Sequence, residues 1–300
     1  MKTMKGVIPA LITPFTPDGE VDFGALRRLV RFHLRAGVGG FYSTGASGEW
    51  FRLTIDERKA IVATVVEEVN GRVPVAVHVG HFTTAWATDL ARHAAAVGAD
   101  AVSAMMPGHS PSPCASMREI VRYYCTLADI GLPVIAYYVE GAGGQLNPST
   151  FVEEIGAIPG IIGLKYTATD LYAMQNIFHL SGGRLQLWSG HDQMALAGLM
   201  MNAIGIIGTN YNYIPEIYVE LYRAYCAGDL ARARAVQGEC NRLLLAVKQF
   251  GNLPAYKAVL EMRGLAKDGA REPSLPLDDD LKCRLRAAIA PFAHWLGPLE

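Results

Sequence analysis

Short apolar runs rich in Val, Ile and aromatic residues recur along the first 210 residues, and longer amphipathic stretches separate them. The runs lack the alternation of polar and apolar positions, which is typical of strands buried on both faces of a parallel sheet. Eight such runs are present, at residues 7–12, 40–43, 73–79, 101–105, 134–138, 161–165, 185–189 and 204–208.

The stretches between these runs have the pattern of helices, for example residues 22–36, 54–70 and 84–97. The second of them opens with Thr54 and Glu57, the spacing of a capping box. Eight strand–helix repeats predict an α/β fold, a (β/α)8 TIM barrel over residues 1–214. A doubly wound open sheet is the alternative, but the first run is not followed by Gly-x-Gly-x-x-Gly.

From residue 215 onward only helical patterns remain, at residues 216–226, 230–249, 254–264 and 278–295. We therefore expect residues 215–300 to form a C-terminal helical extension packed on the barrel.

The amino-acid composition and net charge of the chain limit the classes of binding partner that we expect. Of the 300 residues 51% are hydrophobic and 18% are charged, with a formal net charge of −1. This balance argues against nucleic acid and against an electrostatic membrane anchor, and leaves small molecules. The five cysteines are scattered without Cys-x-x-Cys spacing, and the first apolar run is too short for a secretory signal or a membrane span. We expect a cytoplasmic protein.

Lys165 is the most informative residue, because it ends an otherwise apolar run. Lysine is rarely buried unless it is paired or used. Burial favours the neutral amine, which is a nucleophile for carbonyl carbon, so Schiff-base chemistry is the first hypothesis. The alternative is a lysine whose stem lies on apolar surface while its ammonium reaches solvent.

Other polar residues follow the predicted strands. Tyr137 ends the fifth, Lys165 ends the sixth, and polar segments at residues 43–49, 190–193 and 209–212 follow the second, seventh and eighth. Barrel enzymes carry their working residues at these carboxyl ends, so all of these should line one mouth.

At these positions the chain resembles the N-acetylneuraminate lyase and dihydrodipicolinate synthase group of pyruvate-dependent class I aldolases. The resemblance rests on GVIPALITPF at residues 6–15, GASGE at 45–49 and GLKYT at 163–167. It is closer to the sialic acid lyases through KYTATDLY at 165–172, Gly190-x-Asp192 and IGTNYN at 207–212.

The resemblance implies that Lys165 forms an imine with pyruvate or a 2-oxo acid and that Tyr137 moves the proton. We expect the Tyr137 phenol to be partly ionised by the field of the neighbouring lysine. The covalent imine replaces a dissociable cofactor, and the implied partners are pyruvate with an aldehyde or sugar. The same resemblance suggests a homotetramer.

Substrate-binding positions follow from the same resemblance. The glycines of residues 45–49 let backbone amides converge on a carboxylate, and Ser47 adds a hydroxyl. Family members usually have a hydroxyl residue where this chain has Ala46, and a glutamate where it has Gln193. Asp192 and Thr209 match positions that bind a polyhydroxylated tail; as an alternative, Asp192 caps the following helix. The predicted substrate-binding residues are Ala46, Ser47, Gly48, Thr167, Gly190, Asp192, Gln193 and Thr209.

Two departures separate the chain from dihydrodipicolinate synthases. Ala142 stands where those enzymes have an arginine for a second carboxylate, and residues 105–109 lack their tyrosine. The main prediction is a lyase for an N-acetylneuraminate-like 2-keto-3-deoxy sugar acid. Three alternatives stay open: a keto-deoxy sugar acid dehydratase, a 4-hydroxy-tetrahydrodipicolinate synthase, and a catalytically decayed barrel that binds a ligand.

A metal-dependent aldolase is disfavoured. Four histidines, His78, His81, His109 and His191, fall in or near mouth positions, but their spacing does not match a His-x-His or His-Glu-x-x-His motif. We predict no metal site.

Overall fold

A computed structural model of the chain describes residues 3–105, 116–140, 147–267 and 269–299. Eight parallel strands follow one another around a barrel in the order β1-β8-β7-β6-β5-β4-β3-β2. A parallel bridge between Ala10 and Tyr42 joins β1 to β2, so the predicted TIM barrel is confirmed. The strands are β1 Gly6–Pro9, β2 Phe41–Ser43, β3 Val75–His78, β4 Ala101–Met105, β5 Val134–Val139, β6 Ile161–Thr167, β7 Gln186–Ser189 and β8 Ala203–Gly208.

Helices surround the strands and continue beyond them. Those of the barrel region are α1 Phe23–Ala36, α2 Ile55–Val69, α3 Thr84–Ala96, α4 Met117–Ala128, α5 Pro148–Thr150 (followed by a π turn, Phe151–Ile155), α6 Leu171–Leu180, α7 Ala195–Met200 and α8 Pro215–Cys226. Those that follow are α9 Leu230–Lys248, α10 Leu253–Met262, α11 Asp279–Ile289 and α12 Ala293–Leu296.

Helix ends follow local sequence signals. The capping box at the start of α2 is confirmed, since the Thr54 hydroxyl accepts from the Glu57 amide and the Glu57 carboxylate accepts from the Thr54 amide. The predicted helix over residues 278–295 is wrong in one respect. It is interrupted after Ile289 by a 3₁₀ turn containing Pro291, because proline cannot donate the helical hydrogen bond.

Two apolar cores explain why the strands do not alternate. One lies between the strands and the helices. The other fills the barrel interior and includes Ile8, Tyr42, Ile135, Trp188 and Ile207. Trp188 donates from its indole Nε1 to the Met4 carbonyl at 2.8 Å, next to the start of β1. The amino-terminal half of the interior is therefore packed with side chains, as is usual for this fold.

The C-terminal helices reach the mouth of the barrel. Helix α8 packs against β1 and α1, and α9 packs against α8 and the turn Asp192–Met194. Gln237 of α9 donates to the Asp192 carbonyl at 3.2 Å. The division of the chain at residue 215 into two parts stays a prediction.

Candidate active site

Lys165 and Tyr137 lie side by side at the carboxyl ends of β6 and β5. The two residues are Cα partners in the parallel register, and both are buried, with 5% and 6% of their surface exposed. The Lys165 Nζ lies 4.1 Å from the centroid of the Tyr137 ring. The strand register thus places the predicted nucleophile against the predicted proton-transfer group.

The environment of Lys165 favours the neutral amine. Burial lowers its pKa to about 7, while the charge of Asp192 acts in the opposite direction. In the described part of the chain no carboxylate forms an ion pair with its Nζ. A substantial share of the amine is therefore unprotonated near neutral pH.

The Tyr137 phenol differs from the sequence expectation of partial ionisation. Burial raises its pKa to about 12, and the nearby Thr167 hydroxyl offsets only part of that effect. Within the described residues, Thr167 Oγ1 makes no hydrogen bond of ordinary geometry. Tyr137 is consequently a protonated phenol before any reaction begins, ready to donate.

The loop after β2 is held in a strained shape. Thr44 and Glu49, at its two ends, have left-handed backbones with φ of 53° and 57°, which is unusual for residues other than glycine. Glu49 is 1% exposed, accepts from Lys257 Nζ at 2.7 Å and contacts Arg52. A helix of the C-terminal region thereby fixes the end of this loop.

The backbone of the loop after β2 leaves two amide N–H groups at its tip without an acceptor among the described residues. Gly48 and Glu49 donate their amides to the carbonyls of Gly45 and Ala46, each at 3.0 Å. In the described structure the amides of Ala46 and Ser47 donate to no other group. Two successive N–H groups without an acceptor in the described structure can form a cradle for an anion.

The loops after β2 and β8 are bonded to each other. The hydroxyls of Ser47 and Thr209 lie 2.6 Å apart. The Thr13 hydroxyl donates to the Gly48 carbonyl at 2.7 Å, and a Cβ on Gly48 would lie 2.8 Å from the Leu11 carbonyl oxygen. Glycine is therefore required at position 48 by the close approach of the segment that follows β1.

Asp192 is buried between the loops after β7 and β8, with 5% of its surface exposed. Its Oδ2 accepts from the Asn210 amide at 2.9 Å and from the Asn210 side chain. Its Oδ1 is buried without a hydrogen-bond partner among the described residues. Burial raises the pKa of this carboxyl, and the hydrogen bonds from Asn210 and the nearby Tyr211 hydroxyl oppose that shift. Asp192 therefore joins two loops rather than capping a helix, and its Oδ1 faces Gly208 beside the Tyr211 ring.

Thr167 and Gln193 lie on the same side of the mouth. A Cβ on Gly190 would lie 1.8 Å from Thr167 Oγ1, so the missing side chain lets β6 and the loop after β7 approach. Gln193 is exposed, with its Nε2 3.2 Å from His191 Nδ1. Gln193 is thus the outermost of the predicted ligand-binding residues in this loop.

Tyr42 and Lys257 were not predicted to belong to the site, and Asn210 and Glu49 were predicted only as members of the mouth segments at residues 209–212 and 43–49. Tyr42, Asn210 and the Glu49–Lys257 pair each touch a predicted site residue or its loop. Asn210 belongs to the recognised segment at residues 207–212, so its position was a usable signal. In the sequence Tyr42 is indistinguishable from an ordinary strand residue, and Lys257 lies in a helix far along the chain from the loop that it contacts.

Some sequence predictions fall outside the described residues, namely those on Ala142, His109 and the tyrosine missing after β4. Within the described ranges His78 is buried, with its Nδ1 3.2 Å from the Thr44 carbonyl. No group of three or more His, Cys, Asp or Glu side chains in those ranges is arranged to hold a metal ion.

Among the described residues, each helix is either too short or too polar to cross a membrane.

Comparison with known proteins places this site in a family. The sequence model of the dihydrodipicolinate synthetase family matches residues 3–291. N-acetylneuraminate lyase of Rhizobium meliloti is 34% identical over 293 residues, covering 97% of this chain and 96% of that protein. The corresponding lyase of Salmonella paratyphi B is 34% identical over 289 residues, 95% of this chain and 96% of that protein.

Solved structures of related proteins have the same fold as this chain. CdNal of Clostridium difficile, in complex with mannosamine, superposes with a TM-score of 0.91 at 26% identity over 97% of this chain and 100% of that one. YagE of E. coli K12, in complex with pyruvate, has a TM-score of 0.88 at 27% identity over 96% and 98%. Fold, site and relatives define a carbon–carbon lyase of the class I, pyruvate-dependent aldolase type. The chain belongs to the dihydrodipicolinate synthetase family.

Proposed function

We propose that the protein cleaves or forms a 2-keto-3-deoxy sugar acid through an imine between Lys165 and the keto carbon. The observation that carries this proposal is the buried, unpaired Lys165 amine beside a protonated Tyr137. A neutral amine adds to a ketone, and a phenol can supply the proton that the departing oxygen needs.

The first half of the reaction makes the imine. The Lys165 nitrogen adds to the keto carbon and gives a carbinolamine. Tyr137 donates its proton to the carbinolamine oxygen, which leaves as water, so that a cationic iminium and a phenolate remain side by side. The Ala46 and Ser47 amides and the Ser47 hydroxyl hold the substrate carboxylate during these steps.

The second half breaks the carbon–carbon bond. The Tyr137 phenolate takes the proton of the C4 hydroxyl, the C3–C4 electron pair moves toward the iminium, and an aldehyde and a neutral enamine result. Tyr137 then returns its proton to C3, and water releases pyruvate from the lysine. Each proton that Tyr137 gives is recovered, so the cycle needs no cofactor.

The sugar end would lie against the loops after β6, β7 and β8. Asp192 and Thr209 are the residues expected to meet the sugar hydroxyls, and Thr167, Gly190 and Gln193 lie at or just after the ends of β6 and β7. The relatives named N-acetylneuraminate lyase support an N-acetylneuraminate-like substrate. Cytoplasmic location and the homotetramer stay predictions.

The test is borohydride reduction in the presence of pyruvate, followed by peptide mass mapping. We expect the reduced pyruvate adduct on Lys165 and none on Lys257, the other buried lysine of the described residues, which is 4% exposed. Lys165→Met should abolish the adduct, whereas Lys59→Met, at a surface ion pair with Asp89, should leave it intact. An unmodified Lys165 in folded protein contradicts the proposal.

Product analysis then separates the reactions that share an imine. Incubation with sialic acid, keto-deoxy hexonates and keto-deoxy pentonates should release pyruvate and an aldehyde. Loss of water without pyruvate would indicate the dehydratase, and condensation of pyruvate with aspartate semialdehyde would indicate the synthase. An adduct on Lys165 excludes a barrel that only binds its ligand.

A further inference from the structure

Two aromatic rings meet at the Lys165 amine. Its Nζ lies 4.0 Å from the centroid of Tyr42 and 4.1 Å from the centroid of Tyr137. The two ring centroids are 6.2 Å apart, with an angle of 77° between the planes. The nitrogen therefore lies in the corner between two nearly perpendicular rings. Of these two tyrosines, only Tyr137 has a part in the mechanism described above, through its hydroxyl.

The Tyr42 ring is held in this orientation by its surroundings. It is fully buried and belongs to β2 at the bridge that joins β1 and β2. Its hydroxyl donates to Ser103 Oγ of β4 at 3.1 Å. A Cβ at Gly45 would lie 2.7 Å from Cε1 of the ring, so the loop that binds the carboxylate packs directly on it.

These contacts leave the ring rather than the hydroxyl of Tyr42 to act on the amine. The face of an aromatic ring carries partial negative charge and attracts a cation, most strongly where water is excluded. Burial has the opposite effect, because it favours the neutral form of a lysine. At the Lys165 nitrogen the ring face therefore favours a positive charge, and burial opposes it.

Imine formation changes the charge of that nitrogen. The neutral amine and the neutral ketone lose water and take up one proton, and the product is a cationic iminium. A ring next to the nitrogen stabilises the iminium more than it stabilises the neutral amine. It thereby shifts the equilibrium toward the covalent intermediate without touching the reacting carbon atoms.

We infer that Tyr42 is a positioning residue whose ring face stabilises the cationic nitrogen of Lys165, both as the iminium and as the ammonium. The inference rests on the proposed function, since it assigns the role within the same imine chemistry. It concerns the ring and not the hydroxyl, which is bonded to Ser103.

The experiment measures the fraction of Lys165 trapped by borohydride as a function of pyruvate concentration and pH. Tyr42→Phe keeps the ring, so its half-saturating pyruvate concentration should stay within about threefold of the wild type. Tyr42→Leu removes the ring and should raise that concentration about tenfold. It should also move the pH midpoint of trapping to lower pH, because an amine without the ring face loses its proton more easily.

The pH midpoint separates this role from a merely structural one. Tyr225→Leu is the control, since the Tyr225 hydroxyl also makes a hydrogen bond, which it donates to the Leu199 carbonyl at 2.9 Å, but the residue lies in α8. It should lower the melting temperature and leave the midpoint in place. If Tyr42→Leu does not fold, pentafluorophenylalanine at position 42 keeps the ring size, reverses the charge of its face and should also lower the midpoint.

The outcomes are distinct. A folded Tyr42→Leu protein, or the fluorinated variant, with the wild-type midpoint and pyruvate dependence overturns the inference. Tyr42→Phe behaving like Tyr42→Leu also overturns it, because the hydroxyl would then be responsible. Absence of any Lys165 adduct in the wild type instead contradicts the proposed function itself.

Discussion

Lys257 of α10 donates to the Glu49 carboxylate at 2.7 Å, and the two side chains are 5% and 1% exposed. Lys257 Nζ also lies 4.3 Å from the centroid of the Phe15 ring. Glu49 ends the loop that carries the Ala46 and Ser47 amides. The contact therefore connects a C-terminal helix to the proposed carboxylate cradle.

Removing Lys257 should destabilise the protein and weaken the cradle. Lys257→Met leaves the buried Glu49 carboxylate with Arg52 as its one remaining cationic partner among the described residues, which should cost about 3 kcal/mol in the free energy of unfolding. Urea titration measures this cost. Borohydride trapping of the Lys165 adduct should also require a higher pyruvate concentration. The control is Lys282→Met, at the more exposed pair with Glu261, which should cost less than about 1 kcal/mol. Equal costs for the two variants would contradict the structural role of the buried pair.

Imine formation should depend on pH through Lys165. Its pKa is lowered to about 7 by burial, and only the unprotonated amine attacks, so the initial rate of trapping should rise through about pH 7 and then level off. Asp192 favours the ammonium, so Asp192→Asn should move that midpoint to lower pH. A midpoint near the ordinary lysine value would show that the amine is not buried as described.

Tyr137→Phe should separate the steps of the reaction. Lys165 can still add to pyruvate, so an adduct should form, although more slowly. Cleavage of the sugar acid should fall by about 100-fold to 1,000-fold, because the proton carrier is missing. Tyr138→Phe is the control, since Tyr138 stacks on Tyr166 with 5.6 Å between ring centroids. Cleavage by Tyr137→Phe at the wild-type rate would remove Tyr137 from the mechanism.

The hydroxyl positions of the loop after β2 can be tested in both directions. Ser47→Ala loses the bond to Thr209 and a carboxylate donor, and should raise the pyruvate requirement about fivefold. Ala46 is exposed, so Ala46→Ser has room for a hydroxyl and should raise turnover by about threefold to tenfold. Steady-state kinetics with the best substrate measures both. An unchanged turnover for Ala46→Ser would show that a hydroxyl there does not limit the rate.

Two glycines should respond oppositely to alanine. Gly190→Ala places a methyl 1.8 Å from Thr167 Oγ1 and should cost about 1–3 kcal/mol of stability and reduce cleavage. Gly238 lies within α9, where a Cβ would meet only an Arg242 side chain at 3.7 Å. Gly238→Ala should stabilise the protein by up to about 1 kcal/mol. Thermal melts compare the two, and a stable Gly190→Ala protein would contradict the close packing of these loops.

The barrel could be predicted from the sequence because each buried parallel strand is recognisable locally, as an apolar run between two helical patterns. Lys165 was identifiable for the same reason, since a charge within such a run stands out. Tyr42 was not, because an aromatic residue in a strand looks the same whether its ring covers core or an amine.

Long-range contacts account for the other omissions. Glu49 and Lys257 are 208 positions apart, and local periodicity carries no information about such a pair. The ionisation of Tyr137 was misjudged because burial, which only the folded structure reveals, outweighs the neighbouring groups.

The packed barrel interior has a kinetic consequence. Trp188 and the side chains around it block passage through the amino-terminal side, so among the described residues ligands can reach the lysine only from the carboxyl-terminal side of the barrel. In the proposed reaction, a ketone bonded to this lysine cannot depart while an aldehyde occupies the space in front of it. We therefore expect ordered turnover, in which pyruvate binds first in synthesis and is released last in cleavage.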